Sequence, residues 1–202
     1  MLAYHAWILI IGLLVTSYTS MNLAEDIRMG KISTYLIYPF NFWEFHTASF
    51  IGFQTLQILV CSIFLIFMTS FGLLEIPSFY FLIHGFIYCL FAGFFWFFIQ
   101  YFFGILAFWL EETWMLRVSF LLISAFLSGS YFPLEVYPDW LVNVLTYTPF
   151  PYMGYFPVKI FMGEIQNLSP LYFTVGAWML IVSTIVYLLW RKGLRMYTGA
   201  GM

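Results

Sequence analysis

"SGSYFPLEVYPDWLVNVLTYTPFPYMGYFP", residues 128–157, holds five of the chain's eight prolines and only two charges, Glu135 and Asp139. It cannot be one straight helix, because each internal proline removes a backbone donor and clashes with the preceding turn. It is also too apolar to be a solvated loop. Span-forming sequence before it stops at Ser-Gly-Ser and Pro133, which break the helix and bias the residue before proline to extended backbone. From Asp139, read as the N-cap, "WLVNVLTY" makes two helical turns that Pro149 ends. After Pro151 and Gly154, "YFPVKIFMGEI" makes a second short helix with Pro157 in its first turn. Apolar pieces this short read as re-entrant or interfacial. Irregular backbone at membrane depth needs protein or a watery cavity to cover it. A re-entrant hairpin over 131–168 is therefore expected, in preference to a flat aromatic loop at the headgroups.

The rest of the chain agrees with a lipid solvent. Of 202 residues, 63% are hydrophobic, 24% aromatic and 8% charged, against about 25% charged in soluble domains, and the mean hydropathy is +0.93. Uncharged runs cover 1–24, 45–74, 76–110, 118–134 and 165–190, each near or above the ~20 residues that cross a bilayer. They are apolar on all faces, without the strict alternation of barrel strands, so helices are expected. The expected fold is all-α, a polytopic membrane domain over 1–202. Its five spans fall at about 3–20, 48–71, 78–108, 113–130 and 171–190, the third as one long helix. The N-terminal run lacks the basic flank and cleavage site of a signal peptide and reads as a retained span.

Sidedness follows from the seven Lys and Arg residues. With Arg28, Lys31, Arg117, Arg191, Lys192 and Arg195 on the cytoplasmic side, only Lys159 is outside. The N-terminus is then external, the C-terminus cytoplasmic, 21–47 a cytoplasmic loop and 131–168 external. Within the loop, Asn22 and Glu25 have capping-box spacing, opening a short helix at about 23–29 that Gly30 ends. Leu23, Ala24 and Ile27 would face the bundle or membrane, with Glu25, Asp26 and Arg28 toward the cytosol. Too short to be stable alone, such a helix must dock on something. An ordinary interfacial turn is the competing reading.

Chemistry-bearing motifs are missing. There is no G-x-x-x-x-G-K-[ST] phosphate loop, no H-E-x-x-H and no G-x-S-x-G elbow. No catalytic residue and no metal site are assigned. Cys61 and Cys89 lie in apolar runs and read as packing residues without a disulfide. His84 reads as a hydrogen-bonded packing histidine rather than a proton relay. Adjacent Glu111 and Glu112 point about 100° apart on a helix, so they make no acid–base pair and suit the start of span four. Ser124, Ala125, Ser128 and Gly129 form overlapping small-xxx-small pairs, for contact either within the subunit or across a dimer.

Two motifs, "AEDIRMGKISTYLIYPFN" in the loop and "YFPLEVYPDWL…TPFPYMGYFPVKIFMGE" before the last span, resemble the permease subunits of type-2 ABC exporters. The likeness is to a bacterial subfamily carrying that loop, and it covers nearly the whole chain. It implies a six-span subunit, of which this chain has five and lacks the first, in the bacterial cytoplasmic membrane. It implies pairing with a second permease, identical or not, each resting on an ATPase subunit that binds the ATP and Mg; this chain would hold no cofactor and no nucleic acid. It also implies a coupling helix in the loop, and short re-entrant helices near the outer gate. On that basis Glu25, Asp26, Arg28 and Lys31 are the candidate coupling residues. Phe132, Pro133, Pro138, Asp139, Trp140, Pro149 and Pro151 are the candidate gate residues. Spans nearly free of charge lead us to expect a substrate with apolar surface. A lipid-acting membrane enzyme, or a non-catalytic assembly or immunity factor, are the alternatives.

Overall fold

A computed structural model describes residues 2–16, 18, 21–35, 37 and 42–197. The order is α1 (Leu2–Ile11), α2 (Met21–Arg28), α3 (Ile32–Tyr35), α4 (Phe42–Ser70), α5 (Phe79–Ile105), α6 (Trp114–Leu127), α7 (Asp139–Leu145), α8 (Tyr155–Phe161) and α9 (Ser169–Met196). No strand occurs among the described residues, and the chain is an all-α polytopic membrane protein. Among the described residues three helices are long and apolar enough to cross a membrane, Phe42–Ser70, Phe79–Phe108 and Ser169–Met196. The third expected span is thus a single helix, finishing in a 3₁₀ turn at Leu106–Phe108. Ala3–Thr16 and Trp114–Leu127 are shorter apolar helices. At 1.5 Å per residue each covers roughly 21 Å, less than the ~30 Å hydrocarbon layer. Helix α4 begins at Phe42, taking in residues assigned to the loop, and α9 extends both ways beyond 171–190.

Helix α5 is the axis of the bundle. Its residues from Phe95 to Tyr101 are all buried, while α4 and α9 leave broad apolar faces exposed. The start of the chain is held against it by a repair of broken backbone. After Ile11 the first helix loosens into a π turn, Gly12–Thr16, which leaves carbonyls without their regular partners. Side chains from α4 and α5 supply donors. Cys61 Sγ donates to the Ile10 carbonyl at 3.7 Å, Gln54 Nε2 to Leu14 at 2.5 Å and Trp96 Nε1 to Tyr18 at 3.1 Å. Gly93 makes room, since a Cβ there would lie 2.7 Å from the Leu14 oxygen. In hydrocarbon every such group needs an internal partner, so these polar residues belong in the core.

The two ends of the bundle differ. One gathers α2, α3, the 106–113 connection and the end of α9; the other gathers the start of α1, the end of α6, and α7 and α8. Arg28, Lys31 and Arg195 are at the first end and Lys159 at the second.

Candidate functional site

At the first end, α2 is short but firmly seated. Leu23, Ala24 and Ile27 are buried against α5 and its 3₁₀ extension, as their spacing led us to expect. Leu23 fits because position 104 is glycine: a Cβ there would collide with the Leu23 side chain. The helix ends in a Schellman motif. Gly30, at φ 71°, donates to the Ile27 carbonyl at 3.2 Å, and the Lys31 backbone N–H donates to the Asp26 carbonyl at 2.9 Å. The helix already starts at Met21, so Asn22 is inside it and is not its N-cap; the Asn22 side chain lies outside the described residues.

Charged residues of α2 take different roles. Glu25 and Arg28 are exposed, as is Lys31 after the helix. Asp26 is a correction to the outward placement, being only 8% exposed. It accepts from Tyr35 Oη at 2.8 Å and pairs with Lys31 Nζ at 3.5 Å. Tyr35 and Lys31 thus meet the hydrogen-bonding need that would otherwise send a carboxylate to water. Arg28 Nη1 donates to the Glu111 carbonyl at 2.9 Å and to Glu112 Oε1 at 2.7 Å. The end of α2 is therefore fastened to the connection leading into α6. Helix α9 joins the same knot: Tyr197 Oη donates to the Gly30 carbonyl, and Gly193 lies against Phe108 with no room for a Cβ.

The sequence reading missed Glu112, Tyr35 and Tyr197 as partners. It also missed His46, which is buried beside Phe42 and Tyr101, with ring centroids 4.5 and 5.8 Å away. Helical spacing gives Phe42, one turn before His46, but no hint of the distant partners Glu112, Tyr197 and Tyr101.

At the other end, the proline-rich stretch forms the two expected short helices, α7 and α8, with added 3₁₀ turns at Leu134–Val136 and Pro151–Met153. Asp139 is a further correction. The N-cap is Pro138, Asp139 is the first helical residue, and no side-chain capping bond forms. Helix α7 lies at the surface, with Trp140 68% exposed; Pro138, Asp139 and Phe132 are exposed as well, and Pro133 and Pro149 half-buried. Helix α8 is driven inward together with Pro151. Phe161 stacks on Trp7 of α1, centroids 4.3 Å apart at 3°, and fills the space that Gly85 leaves in α5.

Backbone and side-chain bonds close this end. Tyr4 Oη donates to the Gly129 carbonyl at 2.7 Å, Tyr155 N to Ser128 at 2.8 Å and Tyr88 Oη to Tyr152 at 3.0 Å. Ser124 and Ser128 are buried, and a Cβ on Gly154 would lie 2.7 Å from the Ser128 oxygen. The small-residue stripe of α6 thus serves contacts within the subunit. His84 Nδ1 is bonded to the Tyr80 carbonyl at 2.8 Å, one turn back on its own helix. Cys61 and Cys89 are buried free thiols.

A charge cluster ties α8 to the turn before α7. Lys159 Nζ sits 2.8 Å from Glu135 Oε1 and 2.7 Å from Glu164 Oε2, and Tyr155 Oη donates to Glu135 at 2.8 Å. Partial burial disfavours the charged Glu135, but the bonds from Lys159, the backbone and Tyr155 outweigh it and hold the carboxyl below its ordinary value. Burial likewise disfavours charged Lys159, and its bonds to Glu135 and Glu164 outweigh that, raising its value. The Glu135 contribution is present above its unfolded value, about 4.3, and is lost as pH falls through the lower folded one. That of Lys159 is complete below its unfolded value, about 10.4, and is lost as pH rises through the folded one. We expect Glu135→Gln to cost up to ~1 kcal/mol at neutral pH, since the group is largely exposed. In melts of the purified chain the difference from the unsubstituted protein should start to shrink below the unfolded value of about 4.3 and vanish only below the lower folded one. A difference unchanged by acid would show that the pairing contributes nothing.

The geometry so far defines a membrane-embedded bundle with a docked amphipathic helix at one end and a folded-in hairpin at the other. The sequence profile described as ABC-2 family transporter protein matches residues 1–201, and the chain belongs to that family. It is a permease component of an ABC transporter, an integral membrane protein that works with an ABC ATPase. No curated protein and no solved structure matches it.

Proposed function

We propose that this permease subunit exports a substrate with substantial apolar surface, driven by ATP hydrolysis on a separate subunit. The observation that carries the reading is the seating of α2, whose apolar face is locked on α5 while Glu25, Arg28 and Lys31 face outward. A partner that moves this helix moves α5 through Leu23 and Gly104, and α6 through the Arg28–Glu112 link. At the far end, α8 and Pro151 are tied to α1, α5 and α6, so displacement of those helices changes how the hairpin closes the exit. Phe132, Pro133, Pro138, Asp139, Trp140 and Pro149 form its outer part. Packed helices sliding as stiff rods suit such a shear motion.

In this reading the end bearing α2 is cytoplasmic, the short helices over 131–168 are re-entrant from outside, and the chain crosses a bacterial cytoplasmic membrane in five spans with its N-terminal end external. A second permease, identical or not, completes the pathway. Asp26 acts indirectly, holding Lys31 and Tyr35 in place.

The test is reconstitution of the permease with its ATPase subunit. Glu25→Lys together with Arg28→Glu should lower permease-dependent ATP hydrolysis roughly tenfold, equivalent to about 1.4 kcal/mol. Glu112→Gln, which removes only the internal link, should weaken co-purification little. If the double variant co-purifies and hydrolyses ATP as before, α2 is not the coupling element.

A further inference from the structure

Between α5, α6 and α9 lies an apolar slot of about 370 Å³. Phe95 and Ile99 of α5, Phe120 of α6 and Val182 of α9 form its walls, and Pro149 and Phe150 roof it at the hairpin end. Thr148 also lines it, but its hydroxyl is already committed to the Leu145 carbonyl at 2.7 Å. Trp178 holds the roof by donating from Nε1 to the Tyr147 carbonyl at 3.1 Å. Ile185, at the other end, is exposed. The slot therefore offers hydrocarbon walls with no free polar group, in a protein whose solvent is acyl chain.

One charge of α6 lies a helical turn from the Phe120 wall of the slot. Arg117 is three residues before Phe120, on the same face of α6, at the end of the bundle where Arg28 meets Glu112. It is half-buried, and it joins no ion pair among the described residues. A guanidinium presents a planar fork of donors that matches a phosphate, and one at the hydrocarbon edge gains most from an anion placed there.

We propose that the slot holds one acyl chain of an anionic phospholipid whose phosphate rests on Arg117. The lipid is a wedge between α6 and α9. It fills a space whose bare walls would otherwise lose their dispersion contacts, and it lets α6 shift against α9 without opening a void. The inference requires only that the chain is embedded in a bilayer, so it stands or falls separately from the coupling and gating roles above.

The full chain, purified in mild detergent, is exchanged into mixed micelles of phosphatidylglycerol or phosphatidylcholine, and retained lipid is counted by native mass spectrometry. One phosphatidylglycerol per chain should be kept, roughly tenfold in preference to phosphatidylcholine, a gap of about 1.4 kcal/mol. Arg117→Gln should erase the preference, and Val182→Trp, which fills the slot, should lower retention of both lipids. A second readout does not depend on a variant filling the slot. Brominated phosphatidylglycerol should quench a part of the tryptophan emission that Trp178→Phe removes. Equal retention of the two lipids, a preference that survives Arg117→Gln, or quenching indifferent to Trp178→Phe would overturn the proposal.

Discussion

Replacing Phe161 by alanine is expected to lower the melting temperature of the purified chain by on the order of 10 °C. The ring is buried, stacked on Trp7 and set into the gap that Gly85 leaves in α5. Its loss removes both a large apolar contact and the filler of a rigid hole, for which truncation of a buried phenylalanine costs ~3–5 kcal/mol. The hairpin should loosen with it, seen as faster proteolysis between α7 and α8. Trp140→Ala, at a site 68% exposed on α7, should stay within about 0.5 kcal/mol. If the two variants melt alike, α8 is not what anchors the segment.

The second large effect is at the opposite end. Leu23→Ala should cost ~2–5 kcal/mol of local stability and unseat α2, so that ATP hydrolysis in the reconstituted transporter no longer depends on the permease. Glycine at 104 gives the sharper check. A methyl there collides with Leu23, so Gly104→Ala alone should destabilise by ~1–3 kcal/mol. In the Leu23→Ala background the same methyl occupies freed space, and its cost should largely disappear. Additive costs in the double variant would mean that the two residues do not share the contact, because non-additivity is the mark of direct packing.

Much of the candidate site was legible from residue order. The spacing of Leu23, Ala24 and Ile27 marked the buried face of α2, Gly30 marked its end, and the prolines cut the 128–157 stretch into α7 and α8. Asp26 was misplaced because its partners, Tyr35 and Lys31, follow it beyond the helix and turn back on it. Asp139 was misread because proline residues flanking a helix can start it without a side-chain cap. Among the gate candidates, the reading favoured the prolines and the exposed Trp140. The contacts that secure the segment instead come from Tyr4, Trp7, Tyr88 and Lys159, which lie far away in the chain or looked unremarkable in it.

Composition and run length alone determined that the chain is a helical bundle in lipid, because a bilayer tolerates only segments whose backbone bonds are satisfied within themselves. They could not rank the helices. In lipid a surface-facing leucine and a core-facing one are equally at home, so hydropathy does not separate inside from outside. Tertiary structure made α5 the axis and turned the small residues of α6 inward. It also drew Gln54, Cys61 and Trp96 onto the carbonyls of Leu14, Ile10 and Tyr18, in and just after the first apolar helix. Those choices rest on close packing at glycines and on finding partners for the buried backbone carbonyls at the start of the chain, and both conditions are met only when distant residues meet.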